Sequence, residues 1–489
     1  MSPTVPASRS GLLGDGDSWA GVRAVVGGLG VSGFAAAEAL VHVGARVTVL
    51  DDADFEALQH KATLLGELDA DVRLGRGATA RLPADAELVV VTPGMPPRTP
   101  LLVDATRRGV PIWGEAELAW RLRAPAAASW LCVTGSNGKT TTVRMLDAVL
   151  RAAGLDSRAA GNVGTPLSQV VMDPTAPDVL AVELSSFQLH WAPSLSPRAS
   201  AVLNVAPDHL DWYDGSMDAY VRDKGRIYDR TEVACIYNLA DPVTERLVHE
   251  ADVVAGCRAV GFGLAAPPVG AVGVVDDVIV DRAFSGDRER SAVELASVRD
   301  VTPLAPHTLA DAVAAAALAR AHGVPPAAVR DGLRAFRPDA HRITEIGTVA
   351  GVRYVDDSKA TNPHAAQASL TAYRDVVWVA GGLAKGASFD DLVLAVADRL
   401  RGVVLLGRDR AVIAQAVRRH ARDVPVIDVG DDETVPTSVM DRVVEAAAGL
   451  ARTGDTVLLA PACASQDMFR DYGARGDAFA AAVRRRAGD

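Results

Sequence analysis

The sequence predicts an α/β protein with three domains in series, and three observations support this fold class. Short apolar strands alternate with helical stretches along nearly the whole chain, a pattern typical of mostly parallel sheets with helices on their faces. Two glycine-containing loops, near residues 30 and 138, each follow an apolar strand and precede a helix. The length of 489 residues also exceeds what one ordinary hydrophobic core holds.

The first predicted domain, residues 1–117, is Rossmann-like. Its apolar strands are VRAVVGG, RVTVLD, LVVVTPG and PIWG. The first strand leads into Gly28-x-Gly30-x-x-Gly33 and an alanine-rich helix, and the second strand ends in Asp51-Asp52. This is the outline of a dinucleotide-binding fingerprint, whose glycines let backbone amides approach a diphosphate at a helix N-terminus. Taken alone, it indicates an NAD-dependent dehydrogenase.

The central domain, residues 118–338, opens with a phosphate loop of the P-loop ATPase kind. In SWLCVTGSNGKTTTVRML a strand feeds a tight turn and a helix begins near Lys139. Lys139 is suited to neutralise phosphate charge and the Thr140 hydroxyl to bind Mg²⁺. The full P-loop pattern is not met, because Val133 stands where its first glycine belongs. The residues expected around ATP are Gly135, Ser136, Asn137, Gly138, Lys139, Thr140 and Thr141.

A phosphate loop by itself fits a motor, a kinase or a ligase, and a glycine-rich turn ahead of a helix is the alternative without a ligand. Later in this domain, between Val253 and Val298, short valine-rich runs broken by Gly and Asp pairs predict hairpins at the edge of the sheet. The third domain, residues 339–489, alternates strands such as VVWVAGG, GVVLLG and DTVLLAP with helices. It is predicted to be a second doubly wound, Rossmann-like unit.

Composition narrows the functional classes. Acidic residues outnumber Lys and Arg by 61 to 50, the net charge is −11, and no basic block occurs, which argues against nucleic-acid binding. No run of eighteen apolar residues or signal-peptide core is present, so neither membrane insertion nor export is expected. The four cysteines are scattered without a C-x-x-C motif, which indicates neither zinc nor disulfides and fits a cytoplasmic protein.

Six motifs in register give the chain a resemblance to the Mur ligase family. They are VTGSNGKTTT, GNVGTP, VELSSFQL, DHLDWY, DSKATNP and APACASQDMF. The resemblance covers essentially the whole chain and implies an ATP-dependent amide ligase of peptidoglycan precursor synthesis. The last two motifs resemble those of the branch that adds D-glutamate to UDP-N-acetylmuramoyl-L-alanine through an acyl phosphate. ATP, two Mg²⁺ sites and a monomeric protein are the corresponding expectations.

The resemblance assigns roles near the transferring phosphate. Lys224 corresponds to a lysine that is carbamylated and so becomes an anionic metal ligand; a surface lysine is the alternative. The expected metal ligands are Thr140, Glu183, His209 and carbamylated Lys224. Asn162 and Ser185, with less weight on Ser186, are expected near the reacting end of the UDP substrate, as is His209. In the first domain the glycine loop is expected to bind UDP rather than NAD. The residues assigned there are Leu29, Gly30, Val31, Ser32, Gly33, Asp51 and Asp52.

The resemblance also assigns the ATP and amino-acid sites. Asp311, after His307, stands where the family commonly has an asparagine that contacts adenine; a carboxylate cannot donate to the base, so this contact is in doubt. Arg342 and Asp357 are expected to bind ATP. Lys359 is suited to reach both the γ-phosphate and the incoming amino acid. The residues expected to bind D-glutamate are Lys359, Thr361, Lys385, Ser465 and Tyr472, the last in place of a phenylalanine.

Several alternative functions fit parts of the sequence. A dehydrogenase function does not account for the phosphate loop or for VELSSFQL. A P-loop motor function does not account for DSKATN. A folylpolyglutamate synthase-like ligase shares the ATP loop but not a sugar-nucleotide domain. A pure binding module fits poorly with so complete a set of ATP motifs. The nearest alternative is another Mur-type ligase that adds L-alanine or a diamino acid; the DNP motif usual in the diamino-acid branch is missing from this sequence.

Overall fold

Three β-sheets form the framework of the protein in a computed structural model, which describes residues 18–124, 127–430 and 436–488. The contacts divide these residues into two units. The first unit comprises the described residues up to Val205, together with Trp212–Val301 and Ala310–Phe336. The second unit comprises Ala206–Asp211, Thr302–Leu309 and the described residues from Arg337 onward.

The first sheet is parallel, with the strand order β3-β2-β1-β4-β5 of a Rossmann-like half. Its strands are β1 (Arg23–Gly27), β2 (Arg46–Asp51), β3 (Asp71–Leu74), β4 (Leu88–Val91) and β5 (Ile112–Gly114). The accompanying helices are α1 (Val31–His42), α2 (Glu56–Glu67), α3 (Pro100–Arg107) and α4 (Glu115–Leu122). The strand order reverses between β1 and β4, and the glycine loop follows β1, so the predicted Rossmann-like sheet is confirmed and its expected ligand crevice carries that loop.

The second sheet has nine strands in the order β14-β13-β12-β11-β10-β9-β6-β8-β7. They are β6 (Ser129–Thr134), β7 (Ser157–Gly161), β8 (Val179–Glu183), β9 (Ala199–Val202), β10 (Ala234–Asn238), β11 (Arg258–Phe262), β12 (Ala271–Val275), β13 (Val278–Asp281) and β14 (Val293–Ser297). The helices are α5 (Lys139–Ala152), α6 (Leu167–Met172), α7 (Ser186–His190), α8 (Met217–Gly225), α9 (Pro242–Glu250), α10 (Pro306–Ala321) and α11 (Pro326–Ala335). Strands β12 to β14 pair antiparallel at one edge, which confirms the predicted hairpins.

The third sheet has six strands in the order β15-β16-β20-β17-β18-β19. They are β15 (Thr344–Val349), β16 (Val352–Asp356), β17 (Val376–Gly381), β18 (Leu400–Leu406), β19 (Val426–Gly430) and β20 (Thr456–Leu459). The helices are α12 (Pro363–Thr371), α13 (Asp390–Val396), α14 (Arg410–His420), α15 (Pro436–Leu450) and α16 (Tyr472–Ala487). All pairs are parallel except β15 with β16, which form an antiparallel hairpin at the edge.

Two buried carboxylates explain why the first two sheets fall into one unit. Glu115, at the start of α4, accepts hydrogen bonds from the amide and hydroxyl of Ser168, and burial raises its pKa. Glu117, two residues further on, accepts from the amide and hydroxyl of Ser194 and pairs with Arg121. Because buried carboxylates depend on such partners, α4 is fixed to the helices of the second sheet.

No helix in the described parts of the chain is both long and apolar enough to cross a membrane. All four cysteines carry free thiols. The closest pair, Cys235 and Cys257, has its sulfur atoms 3.8 Å apart without a bond.

Candidate active site

The three glycines of the first loop differ in how much space their surroundings leave for a side chain. Gly28 has a φ of 92°, and a Cβ there would overlap the Thr92 hydroxyl. A Cβ on Gly33 would overlap the carbonyl oxygen of Gly28, so this glycine allows α1 to pack against the loop. A Cβ on Gly30 would meet nothing within 4 Å. Gly28 and Gly33 are therefore required by the fold, whereas Gly30 leaves the loop open to an approaching ligand.

Asp51 and Asp52 accept hydrogen bonds from residues in and around this loop. The Leu29 amide donates to Asp51 Oδ2 at 2.7 Å, and the Leu29 side chain is buried in the core, so Leu29 offers no side chain to a ligand. Asp52 accepts from the hydroxyl and amide of Thr79, and these hydrogen bonds lower its pKa. The structure thus places both carboxylates beside the loop at the end of β2.

Helix α1 presents an unsatisfied N-terminus to the opening. Its N-cap is Gly30, which has no side chain to cap the first turn. The amides of Val31, Ser32 and Gly33 have no hydrogen-bond acceptor among the described residues. The Val31 side chain is 70% exposed. Such a helix end attracts anions, because unpaired amides and the helix dipole both favour negative charge.

The second glycine loop joins β6 to α5, as the sequence predicts. Gly138 is the N-cap of α5 and has a φ of 84°. Asn204, which follows β9, fixes the loop: its carbonyl accepts from the Ser136 amide, its Oδ1 accepts from the Asn137 amide, and its Nδ2 donates to the Asn137 carbonyl. Sequence reasoning missed Asn204, which belongs to no motif and is brought to the loop by the pairing of β6 with β9.

Two lysines meet at this loop. Lys139 Nζ donates to the carbonyls of Gly135 and Ser136 at 2.8 and 3.0 Å. Lys224 Nζ donates to the same Gly135 carbonyl at 2.9 Å and is buried, so Lys224 is not a surface lysine. Tyr220 supports this arrangement, with its ring 4.7 Å from Lys224 Nζ and its hydroxyl 2.8 Å from the Ser136 hydroxyl. Two positive charges therefore converge on the phosphate loop.

Glu183 provides a test of the expected Mg²⁺ site. It is buried at the end of β8, where Oε1 accepts from Asn162 Nδ2 at 2.8 Å. Its second oxygen, Oε2, is buried without a hydrogen-bond partner among the described residues. A lone buried carboxylate oxygen is costly unless a cation satisfies it, so Glu183 fits a hard metal ion. No cluster of three or more His, Cys, Asp or Glu residues suited to a metal occurs in the described parts of the chain.

Asp311 and Ser185 also lie in the first unit. Asp311 is buried, and its carboxylate packs so closely on Gly138 that a Cβ there would overlap it. Asp311, which stands where the family commonly has an asparagine, therefore lies directly beside the phosphate loop. Ser185 is the N-cap of α7: its hydroxyl accepts from the Gln188 amide and donates to Gln188 Oε1, while Ser186 is buried behind it.

In the second unit, His209 has a φ of 51° and lies 3.6 Å from Asp208. Burial, together with the positive charge of Arg342, lowers the pKa of His307 to about 4, so this imidazole is neutral at pH 7. Arg342 also faces Asp357 at the end of β16. Burial raises the pKa of Asp357 to about 6, against the opposing effects of the Ser369 hydroxyl and Arg342.

The residues predicted to bind the amino acid occupy three loops of the third sheet. Lys359 Nζ lies 3.9 Å from the centre of the Tyr472 ring, an attractive cation–π contact. Ser465 is buried and its hydroxyl has no hydrogen-bond partner among the described residues. Lys385 is exposed and has a φ of 50°. Thr361 follows Lys359 in a tight turn in which its amide donates to the Lys359 carbonyl.

A buried arginine that sequence reasoning missed connects these loops. Arg475, on α16, donates to the Ser358 hydroxyl and carbonyl and to the Gly381 and Cys463 carbonyls. These acceptors lie in or beside the segments that carry Lys359, Lys385 and Ser465. Burial lowers the pKa of Arg475 to about 10, so it remains charged at neutral pH. Only the folded structure shows this role, because nothing in the sequence distinguishes this arginine from the solvated ones around it.

The first unit carries a glycine loop suited to anions on one sheet and a phosphate loop on the second sheet. This combination is typical of a nucleotide-dependent enzyme with several domains. Comparison with known families is more specific. The Mur ligase MurD-like N-terminal domain matches residues 22–114, the Mur ligase middle domain matches residues 133–316, and the Mur ligase glutamate ligase domain matches residues 341–463. The chain belongs to the Mur ligase family.

Three curated relatives are named UDP-N-acetylmuramoylalanine–D-glutamate ligase. The protein from Streptomyces avermitilis is 60% identical over 96% of this chain and 99% of its own length. Those from Thermobifida fusca and Mycolicibacterium smegmatis are 53% and 48% identical, over 96% and 95% of this chain and 99% and 97% of their own lengths.

Solved structures show the same fold at low sequence identity. The UDP-N-acetylmuramate-alanine ligase MurC from Thermotoga maritima has a TM-score of 0.55 and 17% identity, covering 95% of this chain and 99% of its own. MurF from Acinetobacter baumannii has a TM-score of 0.54 and 17% identity, covering 93% and 89%. A bifunctional folylpolyglutamate synthase/dihydrofolate synthase from Yersinia pestis has a TM-score of 0.51 and 17% identity, covering 73% and 89%.

Proposed function

We propose that the protein adds D-glutamate to UDP-N-acetylmuramoyl-L-alanine with consumption of ATP, a step of peptidoglycan precursor synthesis. The observation that carries this proposal is the full-length similarity to ligases of that name, at up to 60% identity. We further propose three functional domains, at 1–117 for the UDP substrate, 118–338 for ATP and 339–489 for the amino acid. The enzyme acts in the cytoplasm as a monomer.

The chemistry follows from the inertness of a carboxylate toward amines at neutral pH. ATP transfers its γ-phosphoryl group to the alanine carboxylate of the UDP substrate, which gives an acyl phosphate. The D-glutamate amine attacks the acyl carbon, and the resulting tetrahedral intermediate expels phosphate. No protein nucleophile is required, so the task of the enzyme is to position the reactants and neutralise their charge.

The first domain binds UDP through backbone groups. The open N-terminus of α1 supplies the amides of Val31, Ser32 and Gly33, and Gly30 leaves room for the diphosphate. Asp51 and Asp52 keep the loop in this shape and border the uracil. Asn162, Ser185 and His209 act at the muramoyl-alanine end of the substrate.

ATP binds at the second glycine loop, where Lys139 releases its carbonyl contacts to pair with the β- and γ-phosphates. Arg342, Asp357 and Asp311 also contribute to the ATP site, although a carboxylate at position 311 cannot donate to the base. Bound Mg²⁺, at two sites, would neutralise the transferring phosphate. Thr140, Glu183, His209 and carbamylated Lys224 would hold it. A carbamate on Lys224 replaces one of two converging positive charges with an anionic oxygen ligand, which the burial of this lysine favours.

D-Glutamate binds to the third domain through its two carboxylates. Lys385, Thr361 and Ser465 supply a charge and hydroxyl groups, and the buried, unpartnered Ser465 hydroxyl supports this role. Lys359 is held over the Tyr472 ring and serves the amino acid and the γ-phosphate. The folylpolyglutamate alternative is not favoured, because the MurD-like N-terminal domain matches residues 22–114.

An amino-acid panel tests the proposal. Phosphate release is measured with ATP, Mg²⁺ and UDP-N-acetylmuramoyl-L-alanine in the presence of D-glutamate, L-alanine, L-lysine or a glutamyl-folate. We expect release that depends on D-glutamate alone. Release that depends on another amino acid, with none for D-glutamate, contradicts the proposed specificity.

A further inference from the structure

Lysine is rare in this protein, and its positions are informative. Of the 50 Lys and Arg residues only five are lysines, at positions 61, 139, 224, 359 and 385. Arginine therefore serves almost everywhere that a positive charge is needed for solubility or ion pairing. The proposed function uses Lys139, Lys224, Lys359 and Lys385 at phosphates, metal or amino acid. Lys61 is the one lysine without a role.

The location of Lys61 connects it to the first glycine loop. It lies on α2, partly buried, and its Nζ donates to the Leu29 carbonyl at 3.3 Å. Leu29 lies between Gly28 and Gly30, so the ammonium group is beside the open part of the loop. No carboxylate among the described residues forms an ion pair with Lys61, although acidic residues outnumber basic ones.

The backbone amides of the loop do not supply enough positive charge to neutralise a bound diphosphate. The Leu29 amide is already bound by Asp51, so the loop offers the amides of Val31, Ser32 and Gly33 as partial charges only. A diphosphate carries formal negative charge that these amides do not neutralise. The Lys61 ammonium has three N–H donors, and the Leu29 carbonyl accepts only one of them.

We propose that Lys61 binds the diphosphate of the UDP-linked substrate at the first glycine loop. This inference rests on the proposed function and adds a side-chain cation to the backbone contacts of that site. A lysine suits the position better than an arginine, because a compact ammonium can bind the loop carbonyl and a phosphate oxygen at the same time. Lys61 acts by binding and takes no part in the transfer of the phosphoryl group.

The test compares three variants by calorimetric titration of the full chain with UDP and with uridine, which lacks the phosphates. Lys61→Met removes the charge and retains the length of the side chain, whereas Lys61→Arg retains a charge. Arg46→Met is the matched control, since Arg46 is exposed at the opposite end of β2 from Asp51. The melting temperature of each variant shows whether the fold is retained.

We expect Lys61→Met to weaken UDP binding about tenfold, the effect of one charged hydrogen bond, and to leave uridine binding unchanged. Lys61→Arg should lose less, and Arg46→Met nothing. Equal UDP affinity in Lys61→Met and the wild type overturns the inference, as does an equal loss for UDP and uridine, which indicates a structural role. Phosphate release with D-glutamate is assayed separately, so failure of the proposed function is recognised independently of Lys61.

Discussion

At the scale of single residues, the convergence of Lys139 and Lys224 on the Gly135 carbonyl is the most consequential feature of the proposed ATP site. Two ammonium groups in so small a space favour binding of anions, and burial keeps Lys224 from solvent. The proposed carbamylation of Lys224 would remove the same repulsion in a different way, by converting one cation to an anion.

Replacement of Lys224 by alanine is therefore expected to abolish activity, and added formate or another short carboxylic acid should restore part of it, because the acid places an anionic oxygen in the vacated space. Initial rates of phosphate release with and without the acid measure this effect. Lys385→Ala, which removes an exposed lysine of the amino-acid site, is the control and should show no rescue. Full activity of Lys224→Ala would refute the assigned role.

Asp357 makes the stability of the second unit depend on pH. Its pKa is raised from 3.8 to about 6, so the folded protein binds this proton more tightly than the unfolded chain does. Stability from this group is therefore highest below pH 4 and is lost as the pH rises through 6. The shift corresponds to a penalty on the order of 2 to 3 kcal/mol at neutral pH.

In Asp357→Asn this titration is removed. We expect the melting temperature of the wild type to fall more steeply between pH 5 and pH 7 than that of the variant, as measured by calorimetry in buffers of constant ionic strength. Asp276→Asn, in the exposed turn between β12 and β13, is the matched control and should retain the wild-type slope. Identical slopes for Asp357→Asn and the wild type would show that Asp357 does not titrate in this range.

Sequence motifs identified the residues that touch ligands in the proposal, but not the residues that hold them. Lys139 lies in a phosphate-loop pattern whose chemistry is apparent from the chain alone, whereas the roles of Glu183 and Lys359 rest on the resemblance of their motifs to the Mur ligase family. Asn204 and Arg475 fix the phosphate loop and the amino-acid loops through contacts between distant segments. Such contacts depend on strand order, which no local pattern specifies.

At the scale of elements, the loop between β1 and α1 contains one glycine that folding requires and another that folding does not require. Gly33 is required because α1 packs directly on the Gly28 carbonyl, whereas Gly30 faces open space. The second and third glycines of the motif therefore meet different needs, as their positions in the fingerprint imply.

This difference predicts opposite effects of two alanine substitutions. Gly33→Ala should lower the free energy of unfolding by roughly 1 to 3 kcal/mol, because the new methyl group forces the loop and the helix apart. The melting temperature should fall accordingly. Gly30→Ala should melt like the wild type but bind UDP more weakly, since its methyl group occupies the approach of the diphosphate. Thermal melts and UDP titration of both variants provide the measurement. A destabilised Gly30→Ala would contradict the assignment.

Long apolar strands and both glycine loops were predictable from the sequence, because their hydrophobic runs and turn residues are strong local signals. The strands that were not predicted include two at sheet edges: β3, whose four residues DVRL alternate in polarity, and β15, which forms a hairpin with β16. Both lie at sheet edges, where one side of the strand is exposed and the hydrophobic pattern is weak.

At the scale of the whole molecule, the buried carboxylates of α4 make the first two sheets a single structural unit. Glu115 and Glu117 lie on a helix of the first sheet and bind Ser168 and Ser194 of the second. The sequence indicated a small-residue linker at this boundary and gave no sign that the helix before it is anchored so firmly.

Calorimetry of the double variant Glu115→Ala, Glu117→Ala tests this connection. We expect the unfolding of the first unit to split into two transitions, because each serine then loses a buried acceptor and the two sheets no longer unfold together. The double variant Glu56→Ala, Glu67→Ala, at the exposed ends of α2, is the control and should retain the wild-type profile. A single, unchanged transition in the α4 variant would contradict the coupling.

In the proposed mechanism, ATP activates the alanine carboxylate of the UDP substrate for attack by D-glutamate. The most direct measurement uses UDP-N-acetylmuramoyl-L-alanine labelled with ¹⁸O in that carboxylate and examines the released phosphate by ³¹P NMR. An acyl phosphate predicts that D-glutamate-dependent turnover transfers one ¹⁸O atom to each phosphate. Phosphate released without ¹⁸O, or without any dependence on D-glutamate, would contradict the acyl-phosphate mechanism.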